Sequence, residues 1–191
     1  MRGLADIADL LESDPGLRRL LDLVASLALP DGWIGAGFVR NAVWDVLHGR
    51  MPDPSRLGDV DVVYFDRDDA GAERDRALEH RLRGLDPQVC WSVKNQARMH
   101  LRNCDRPYRD TADAIAHWPE TATAVAARLV GDRVEIIAPY GVDDLLGLVV
   151  RPTPAFRHKM DISRERMASK DWISRWLKLT VFPALDSLSG A

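Results

Sequence analysis

The spacing of hydrophobic residues changes along the chain, and each change marks a predicted element. Residues 4–29 repeat apolar positions at helical spacing, as at Leu17, Leu21 and Val24, and predict one or two helices. A short apolar stretch at 33–36 predicts the first strand, and helical spacing returns directly after it. The chain is therefore expected to begin with helices, enter a strand and pass at once into another helix.

Further stretches of the chain show helical or strand-like spacing of apolar residues. Residues 121–139 have two β-like arms around Gly131 and Asp132, which predicts a hairpin, although the alanine-rich first arm also fits a helix. Residues 161–179 predict a final amphipathic helix, whose apolar positions include Ile162, Met167, Trp172 and Trp176. The other predicted elements are a helix at 38–47, a strand at 59–65, an exposed helix at 72–85, a strand at 87–93, a helix at 94–103 and a short helix at 141–150.

This alternation of strands and helices predicts an α/β or α+β fold with a mixed central sheet flanked by helices. The 191 residues suffice for one compact domain with a core and are too few for two full-sized domains. We expect residues 1–150 to form that domain, including the N-terminal helices. Residues 151–191 are expected to add a linker and a small amphipathic helix packed on the same domain.

Composition restricts the class of protein. A hydrophobic content of 46% and a charged content of 29% are ordinary for a soluble globular protein. No apolar run approaches the roughly 20 residues of a membrane span, and acids occupy the N-terminus where a signal peptide would be apolar. Cys90 and Cys104 belong to no metal-ligand spacing and form no disulfide framework. We therefore expect a cytoplasmic protein without a membrane partner.

The charge balance bears on the choice of partner. The formal net charge is −3, and many arginines alternate with acids, as in residues 66–84. Proteins that hold extended nucleic acid use a broad basic face to neutralise phosphates, whereas interleaved charges more often form a solvated helix face. This pattern argues against extended nucleic acid as a partner and leaves room for a local basic pocket.

Two aspartates interrupt the apolar pattern of the second strand. Side chains alternate faces along a strand, so Asp59 and Asp61 are expected to project the same way. Carboxylates this close repel each other unless a cation or hydrogen-bond donors compensate. Mg²⁺ is often held by one or two carboxylates together with substrate phosphates. The pair therefore indicates a metal site, and the alternative is an edge strand with both aspartates facing solvent.

Glycines stand upstream, where the first strand passes into a helix. Gly35 and Gly37 would let the backbone approach a phosphate, and the helix N-terminus would offer unpaired N–H groups to it. Arg40 follows one turn into the helix, where it could reach a phosphate or brace the acidic strand. The alternatives are an ordinary tight turn for the glycines and an exposed helix position for Arg40.

The order of strand, glycine-containing turn, helix, loop and D-x-D strand resembles the nucleotidyltransferase fold of the DNA polymerase beta superfamily. The stretch "GAGFVRNAVWDVLHG…GDVDVV" is similar to the catalytic head of poly(A) polymerase and CCA-adding enzymes. In that pattern Ala36 replaces the first glycine of a pair and Gly37 matches the second. Arg40 matches the arginine that follows, and Asn41 replaces an aspartate.

A closer resemblance covers nearly the whole chain and is to a family of small bacterial nucleotidyltransferase-like proteins. It rests on the stretches "AGFVRNAVWDVLHG", "DVDVVYFD", "WSVKNQARMH", "WPETATAVAARL", "APYGVDDLLGLVVRPTP" and "KDWISRWLKL". The resemblance implies the nucleotidyltransferase fold and chemistry on an NTP that depends on Mg²⁺ or Mn²⁺. It also implies nucleotide binding by Gly35, Gly37, Arg40 and Asn41, and it brings no known substrate.

Members of this superfamily usually carry a third carboxylate on a strand beside the D-x-D. Glu135 is the expected third acid, because apolar Val134 and Ile136 flank it on a predicted strand. Asp59, Asp61 and Glu135 would then hold two metal ions and form the catalytic centre. The alternative for Glu135 is an outward-facing acid in a hairpin.

A polar run at residues 94–100 follows a predicted strand. Lys94 offers charge for a phosphate, and Asn95 offers both hydrogen-bond donors and acceptors. We expect both to contact the nucleotide or the acceptor. The alternative, which chemistry alone favours, is a capped helix with a solvated face.

The expected function is metal-dependent transfer of a nucleoside monophosphate from an NTP to an acceptor, with release of pyrophosphate. The first alternative is an inactive member of the same fold that binds a nucleotide or another protein. A glycosyltransferase, which also uses D-x-D, ranks lower because only about sixty residues precede Asp59, less than half of a usual domain. The acceptor stays open between a small molecule, a protein side chain and a short RNA end.

Overall fold

The computed structural model describes residues 1–157, 165–166 and 169–182. The helices are α1 Leu4–Ser13, α2 Pro15–Ala25, α3 Gly37–Leu47, α4 Ala72–Leu85, α5 Met99–Asn103, α6 Thr111–Ile115, α7 Asp143–Leu146 and α8 Trp172–Arg175. The strands are β1 Trp33–Gly35, β2 Asp59–Tyr64, β3 Cys90–Asn95, β4 Ala126–Val130, β5 Arg133–Ile137, β6 Val149–Val150 and β7 Thr180–Val181. None of the described helices is long and apolar enough to cross a membrane.

Five strands form one mixed sheet in the order β3-β2-β1-β4-β5. The pair β2 and β3 is parallel, and the other neighbouring pairs are antiparallel. This confirms the predicted mixed sheet flanked by helices. The hairpin at 121–139 is also confirmed, with Val130 paired to Arg133 and a left-handed turn at Gly131 (φ 59°), so its first arm is a strand and not a helix.

The two N-terminal helices meet at a capped corner. The Asp14 side chain accepts hydrogen bonds of 2.9 Å from the backbone N–H groups of Gly16 and Leu17, and Pro15 occupies the first helical position of α2. Such a cap satisfies N–H groups that have no partner inside the helix. The apolar sides of α1 and α2 then contribute to the main core, which includes Ile7, Leu11, Leu17, Leu20 and Leu21.

The sheet buries its two faces unequally. Along β2 the side chains of Val60, Val62 and Tyr64 enter the main core beneath α1, α2 and α3. The other face carries a smaller apolar cluster that includes Trp33 and Val63. Asp59 and Asp61 belong to this second face because side chains alternate along a strand, and there the sheet is open enough to form a site.

The predicted helix at 94–103 differs from the structure, and the one at 141–150 is limited to α7 because Val149–Val150 form β6. Residues 94–103 were expected as one helix, but β3 continues through Asn95, a 3₁₀ turn spans Gln96–Arg98, and only then does α5 begin. Polar side chains in this run hid the strand, because β3 alternates buried and partly exposed positions. Of the predicted helix at 161–179, residues 165–166, 169 and α8 at Trp172–Arg175 are helical, and 161–164 and 167–168 lie outside the described residues.

The C-terminal part of the described chain is attached through tryptophans. Trp172 and Trp176 are buried, as their predicted apolar positions required, and both make edge-to-face contacts with Trp44 at ring centroid distances of 5.8 and 5.2 Å. The Trp176 indole N–H donates to the Asp45 carboxylate at 2.9 Å. Ile162 and Met167 lie outside the described residues, and the division of the chain at residue 150 stays a prediction.

Candidate functional site

The turn from β1 into α3 adopts an unusual backbone conformation. Ala36, the residue just before the helix, has φ 50° and ψ −113°, and its N–H donates to the Val125 carbonyl at 2.9 Å. Residues other than glycine rarely adopt this region because the Cβ atom crowds the backbone. The resemblance expected glycine at this position, and the observed conformation explains the preference. The chain therefore places a strained alanine at the start of α3.

The glycines on either side of Ala36 have different surroundings. A Cβ atom added to Gly35 would collide with the indole of Trp118, whose Cζ3 would be 2.9 Å away, so Gly35 allows that ring to pack on the sheet. At Gly37 an added Cβ would be 3.6 Å from the nearest atoms, which belong to Arg40 and Asn41. Gly37 lies on the open side of the turn. Gly35 is buried against the Trp118 ring, and its expected contact with a nucleotide stays a prediction.

Asp59 and Asp61 line one cleft together with the first turns of α3, as the alternation of β2 predicts. We call it the first cleft; its volume is about 340 Å³. Because β2 lies between β1 and β3, the alternative of an edge strand is wrong. Besides the two aspartates, the cleft is lined by Gly37, Arg40, Asn41, Arg166, Lys170 and Arg175.

The two carboxylates differ in exposure. Asp59 is exposed, whereas Asp61 is partly buried, and the pKa of Asp61 is raised to about 6. Burial is the main cause of this rise and repulsion from Asp59 the second, while the charges of Arg40, Arg166 and Lys170 oppose both. Within the described residues no hydrogen-bond donor contacts the Asp61 carboxylate. This carboxylate is therefore available to a cation.

Arg40 forms the buried wall of the first cleft, so its alternative as an exposed helix residue is wrong. Its guanidinium donates to the Thr123 hydroxyl at 3.0 Å and to Asn41 Oδ1 at 2.9 and 3.2 Å, and it lies 4.3 Å from the ring centre of Trp172. Burial lowers its pKa to about 10, against the opposing attraction of Glu120. The group still carries its charge at neutral pH and interacts electrostatically with Asp61.

Three cations of the first cleft were missed from the sequence, namely Arg166, Lys170 and Arg175. Arg166 donates to the buried carboxylate of Glu120 at 2.7 Å, and the second oxygen of Glu120 has no partner within the described residues. Arg175 donates to the Arg56 carbonyl at 2.9 Å. A signal was present: Arg166 and Lys170 are four residues apart, a spacing that places two side chains on one helical face.

Glu135 does not join this site. It lies on the edge strand β5, and β1 and β4 separate β5 from the aspartates on β2. Its carboxylate pairs with Arg128 at 2.7 and 2.9 Å. The expectation of Glu135 beside the D-x-D strand is therefore wrong, because β4 pairs with β1 and leaves β5 outermost. Among the residues that the structure describes, no group of three His, Cys, Asp or Glu side chains could hold a metal ion.

Asn95 does not line the first cleft, because its side chain is buried and hydrogen-bonded to neighbouring backbone groups. Its amide donates to the carbonyls of Asp66 and Asp69 at 2.7 and 3.1 Å, and its oxygen accepts from the N–H groups of Asp66 and Ala97 at 3.1 and 3.0 Å. Both ends of this buried amide are occupied, so Asn95 holds the loop after β2. The expectation that it contacts a substrate is wrong.

Lys94, on the face of β3 opposite to Asn95, lines a second cleft. It stands opposite Val63 in the parallel register, on the same face as Asp61. The second cleft adjoins the first, since Ala36, Asp61 and Arg166 line both. The structure thus joins Gly37, Arg40, Asn41, Asp59 and Asp61 in one cleft and places Lys94 in the neighbouring one.

The chemistry of the first cleft suits a polyphosphate bound with a divalent cation. Helix N–H groups and several guanidinium or ammonium groups are ligands for phosphate. Two carboxylates, one of them free of described hydrogen-bond donors, are hard oxygen ligands of the kind Mg²⁺ accepts beside phosphates and water. The donor set fits such an ion, and it lacks a third carboxylate among the described residues.

Comparisons with known proteins agree with this fold. A family model described as Nucleotidyltransferase matches residues 22–181. A solved structure described as "The NMR structure of the protein reveals a CCA-adding enzyme head domain" is 33% identical with a TM-score of 0.85, over 95% of this chain and 96% of that one. A comparison with curated protein sequences finds no match.

Two longer enzymes share the fold at lower identity. The Thermotoga maritima CCA-adding enzyme complexed with tRNA is 16% identical with a TM-score of 0.57, over 94% of this chain and 42% of that one. A CCA-adding enzyme in complex with CTP is 14% identical with a TM-score of 0.56, over 94% of this chain and 43% of that one. This chain spans less than half of either enzyme.

Proposed function

Because the chain belongs to the nucleotidyltransferase family, we propose that it transfers a nucleoside monophosphate from an NTP to an acceptor and releases pyrophosphate. One observation carries the proposal. Asp59 and Asp61 share a cleft with the N-terminal turn of α3 and with several cations. In-line displacement at a phosphate requires charge neutralisation on both the attacking and the leaving oxygens, and these groups would supply it within one cleft.

The triphosphate is bound by the cationic wall in this proposal. Backbone N–H groups in the first turn of α3, beginning at Gly37, bind phosphate oxygens in the open space beside the strained turn. Arg166, Lys170 and Arg175 line the same cleft and neutralise the phosphates that leave as pyrophosphate. Arg40 is held by Thr123 and Asn41 and adds a fixed positive charge behind the phosphates.

In this proposal the two aspartates of the first cleft act at the α-phosphate and at the acceptor hydroxyl. Asp59 and Asp61 would hold Mg²⁺ or Mn²⁺, which when bound would polarise the α-phosphate and lower the charge on the oxygens around it. Asp61 takes the proton of the acceptor hydroxyl on its carboxylate, because it stands where the first and second clefts meet. Asn41 orients Arg40 through its side-chain oxygen.

A second candidate function has a specific observation in its favour. Without a third carboxylate among the described residues, the first cleft could bind a nucleotide and carry out no transfer. Such a protein would act as a nucleotide-dependent binding module. The two functions make different predictions about pyrophosphate, since a binding module retains the NTP intact.

An incubation of the protein with Mg²⁺, cell extract and each of the four NTPs, labelled at the α-phosphate, distinguishes the two functions. Transfer predicts a labelled product and stoichiometric pyrophosphate. Asp61→Asn should lower the rate by about a thousandfold, roughly 4 kcal/mol of transition-state stabilisation. Asp132→Asn, at the exposed tip of the β4–β5 hairpin, is the matched control. Tight NTP binding without pyrophosphate in any reaction would favour the binding module.

A further inference from the structure

The second cleft has the size and lining of a small-molecule site. Its volume is about 370 Å³, within the range of roughly 300–1,000 Å³ that ligand pockets occupy. Its lining combines an apolar part, with Trp118 and Phe156, and a cationic part, with Lys94 and Arg102. It opens on the same sheet face as the first cleft and meets it at Asp61.

The cationic groups of the second cleft retain capacity for a ligand. Lys94 donates to Glu79 at 2.8 Å and to the Val93 carbonyl at 2.9 Å, which fixes the ammonium and leaves its third proton free. Arg102 is exposed, and no carboxylate pairs with it within residues 1–157, 165–166 and 169–182. An anionic ligand would therefore find one positioned donor and one uncompensated guanidinium.

The relative position of the two clefts indicates from which cleft the attacking hydroxyl would approach the α-phosphorus. The cations of the first cleft hold the phosphates that leave, and in-line displacement brings the attacking oxygen from the opposite side of the α-phosphorus. Asp61 lines both clefts, so an attacking hydroxyl near this carboxylate belongs to a molecule in the second cleft. The size of that cleft and the net charge of −3 favour a small molecule over a polyanion.

We propose that the second cleft binds the acceptor, and that the acceptor is a small molecule with a hydroxyl beside a phosphate or carboxylate group. The inference rests on the proposed function. In the reaction the hydroxyl oxygen forms a bond to the α-phosphorus, while the bond from the α-phosphorus to the oxygen bridging to the β-phosphate breaks. The hydroxyl proton goes to Asp61, and that bridging oxygen leaves with pyrophosphate. Lys94 and Arg102 hold the anionic group of the acceptor.

Tryptophan side-chain NMR tests this site without knowledge of the natural acceptor. The first cleft is saturated with Mg²⁺ and an NTP analogue that cannot be cleaved at the α-phosphate, and the response of the Trp172 indole reports its binding. Glycerol 3-phosphate and glycerate are then titrated, with glycerol as the uncharged probe, and the Trp118 indole reports the second cleft. A Trp118→Phe variant identifies the Trp118 signal.

The expected result is a saturable shift of the Trp118 signal with either anionic probe and none with glycerol. Arg102→Ala and Lys94→Met should each weaken this binding by about tenfold or more, as loss of a charge-assisted contact predicts. Arg76→Ala removes an exposed guanidinium on α4 that pairs with Glu73, and it should leave the binding unchanged.

Three outcomes would overturn the inference. One is a Trp118 signal that ignores both anions, another is a response that survives Arg102→Ala and Lys94→Met, and the third is a response only to a short oligoribonucleotide with a free 3′ hydroxyl. A failure of the proposed function looks different. In that case either the Trp172 signal does not change with the NTP analogue or an intact NTP releases no pyrophosphate, whatever the Trp118 signal does.

Discussion

Replacing Asp61 by asparagine should stabilise the metal-free protein while it lowers the rate of the proposed transfer about a thousandfold. The carboxylate is partly buried beside Asp59, and its folded-state pKa of about 6 exceeds the ordinary value of 3.8. Ionisation is therefore harder in the folded than in the unfolded chain. By linkage, this group destabilises the fold progressively as the pH rises from the unfolded pKa to the folded pKa, and by a constant amount above it. Asparagine has nearly the same shape and carries no charge.

The two pKa values set the size of the effect. A difference of this size corresponds to a destabilisation of up to about 3 kcal/mol near neutral pH, and of about 1 kcal/mol near pH 4.5. The attraction from Arg40, Arg166 and Lys170 is already contained in the shifted pKa. For a chain of this length, the neutral-pH gain corresponds to a rise in Tm of roughly 6–12 °C.

Urea unfolding in the presence of a chelator, at neutral and at acidic pH, measures the gain. Asp61→Asn should be more stable than the parent protein, and its advantage should shrink as the pH falls. Asp132→Asn should show no gain at either pH, because its side chain is exposed. An Asp61→Asn protein that is no more stable at neutral pH, or whose advantage is independent of pH, would refute the electrostatic reasoning.

Two further predictions concern the turn before α3. Ala36→Gly should stabilise the fold by about 1 kcal/mol, because relief of the left-handed strain exceeds the added freedom of the unfolded chain; urea unfolding would show a loss instead if the turn were unstrained. Gly35→Ala should cost about 1–3 kcal/mol, because its Cβ meets the Trp118 ring, whereas Gly37→Ala should fold normally and weaken NTP binding in calorimetry. Equal stability of the two alanine variants would contradict the packing at Gly35.

The sequence pattern predicted those elements whose formation depends on residues close together along the chain. Alternation along residues 59–65 and the turn at Gly131 identified β2 and the β4–β5 hairpin. The position of Glu135 depends on which strand pairs with which, and nothing in its own segment encodes that β4 pairs with β1. The role of Asn95 also depends on tertiary structure. Its polar side chain suggested contact with a ligand, but its hydrogen-bond partners lie in the loop after β2.

The predicted cluster of Gly37, Arg40 and the two aspartates came together because one helix turn and one strand carry it. The burial of Arg40 was not predictable from its helix, since Trp172, from the far end of the chain, covers the guanidinium. The cations of the C-terminal segment were hidden for a related reason. Basic residues in an amphipathic pattern usually face solvent, and only tertiary packing turns them toward the aspartates.

The attachment of the C-terminal segment through Trp172 and Trp176 determines when the site can form during translation. A ribosome releases the acidic strand and the helix that faces it long before it makes Arg166, Lys170 and Arg175. The sheet and its N-terminal helices can pack while the nascent chain still lacks these cations, since domains fold as their residues emerge. The cleft therefore gains Arg166, Lys170 and Arg175 only after the strand and helix that carry Asp59, Asp61 and Arg40 have been made, and under the proposed function its affinity for a nucleotide should rise in that order.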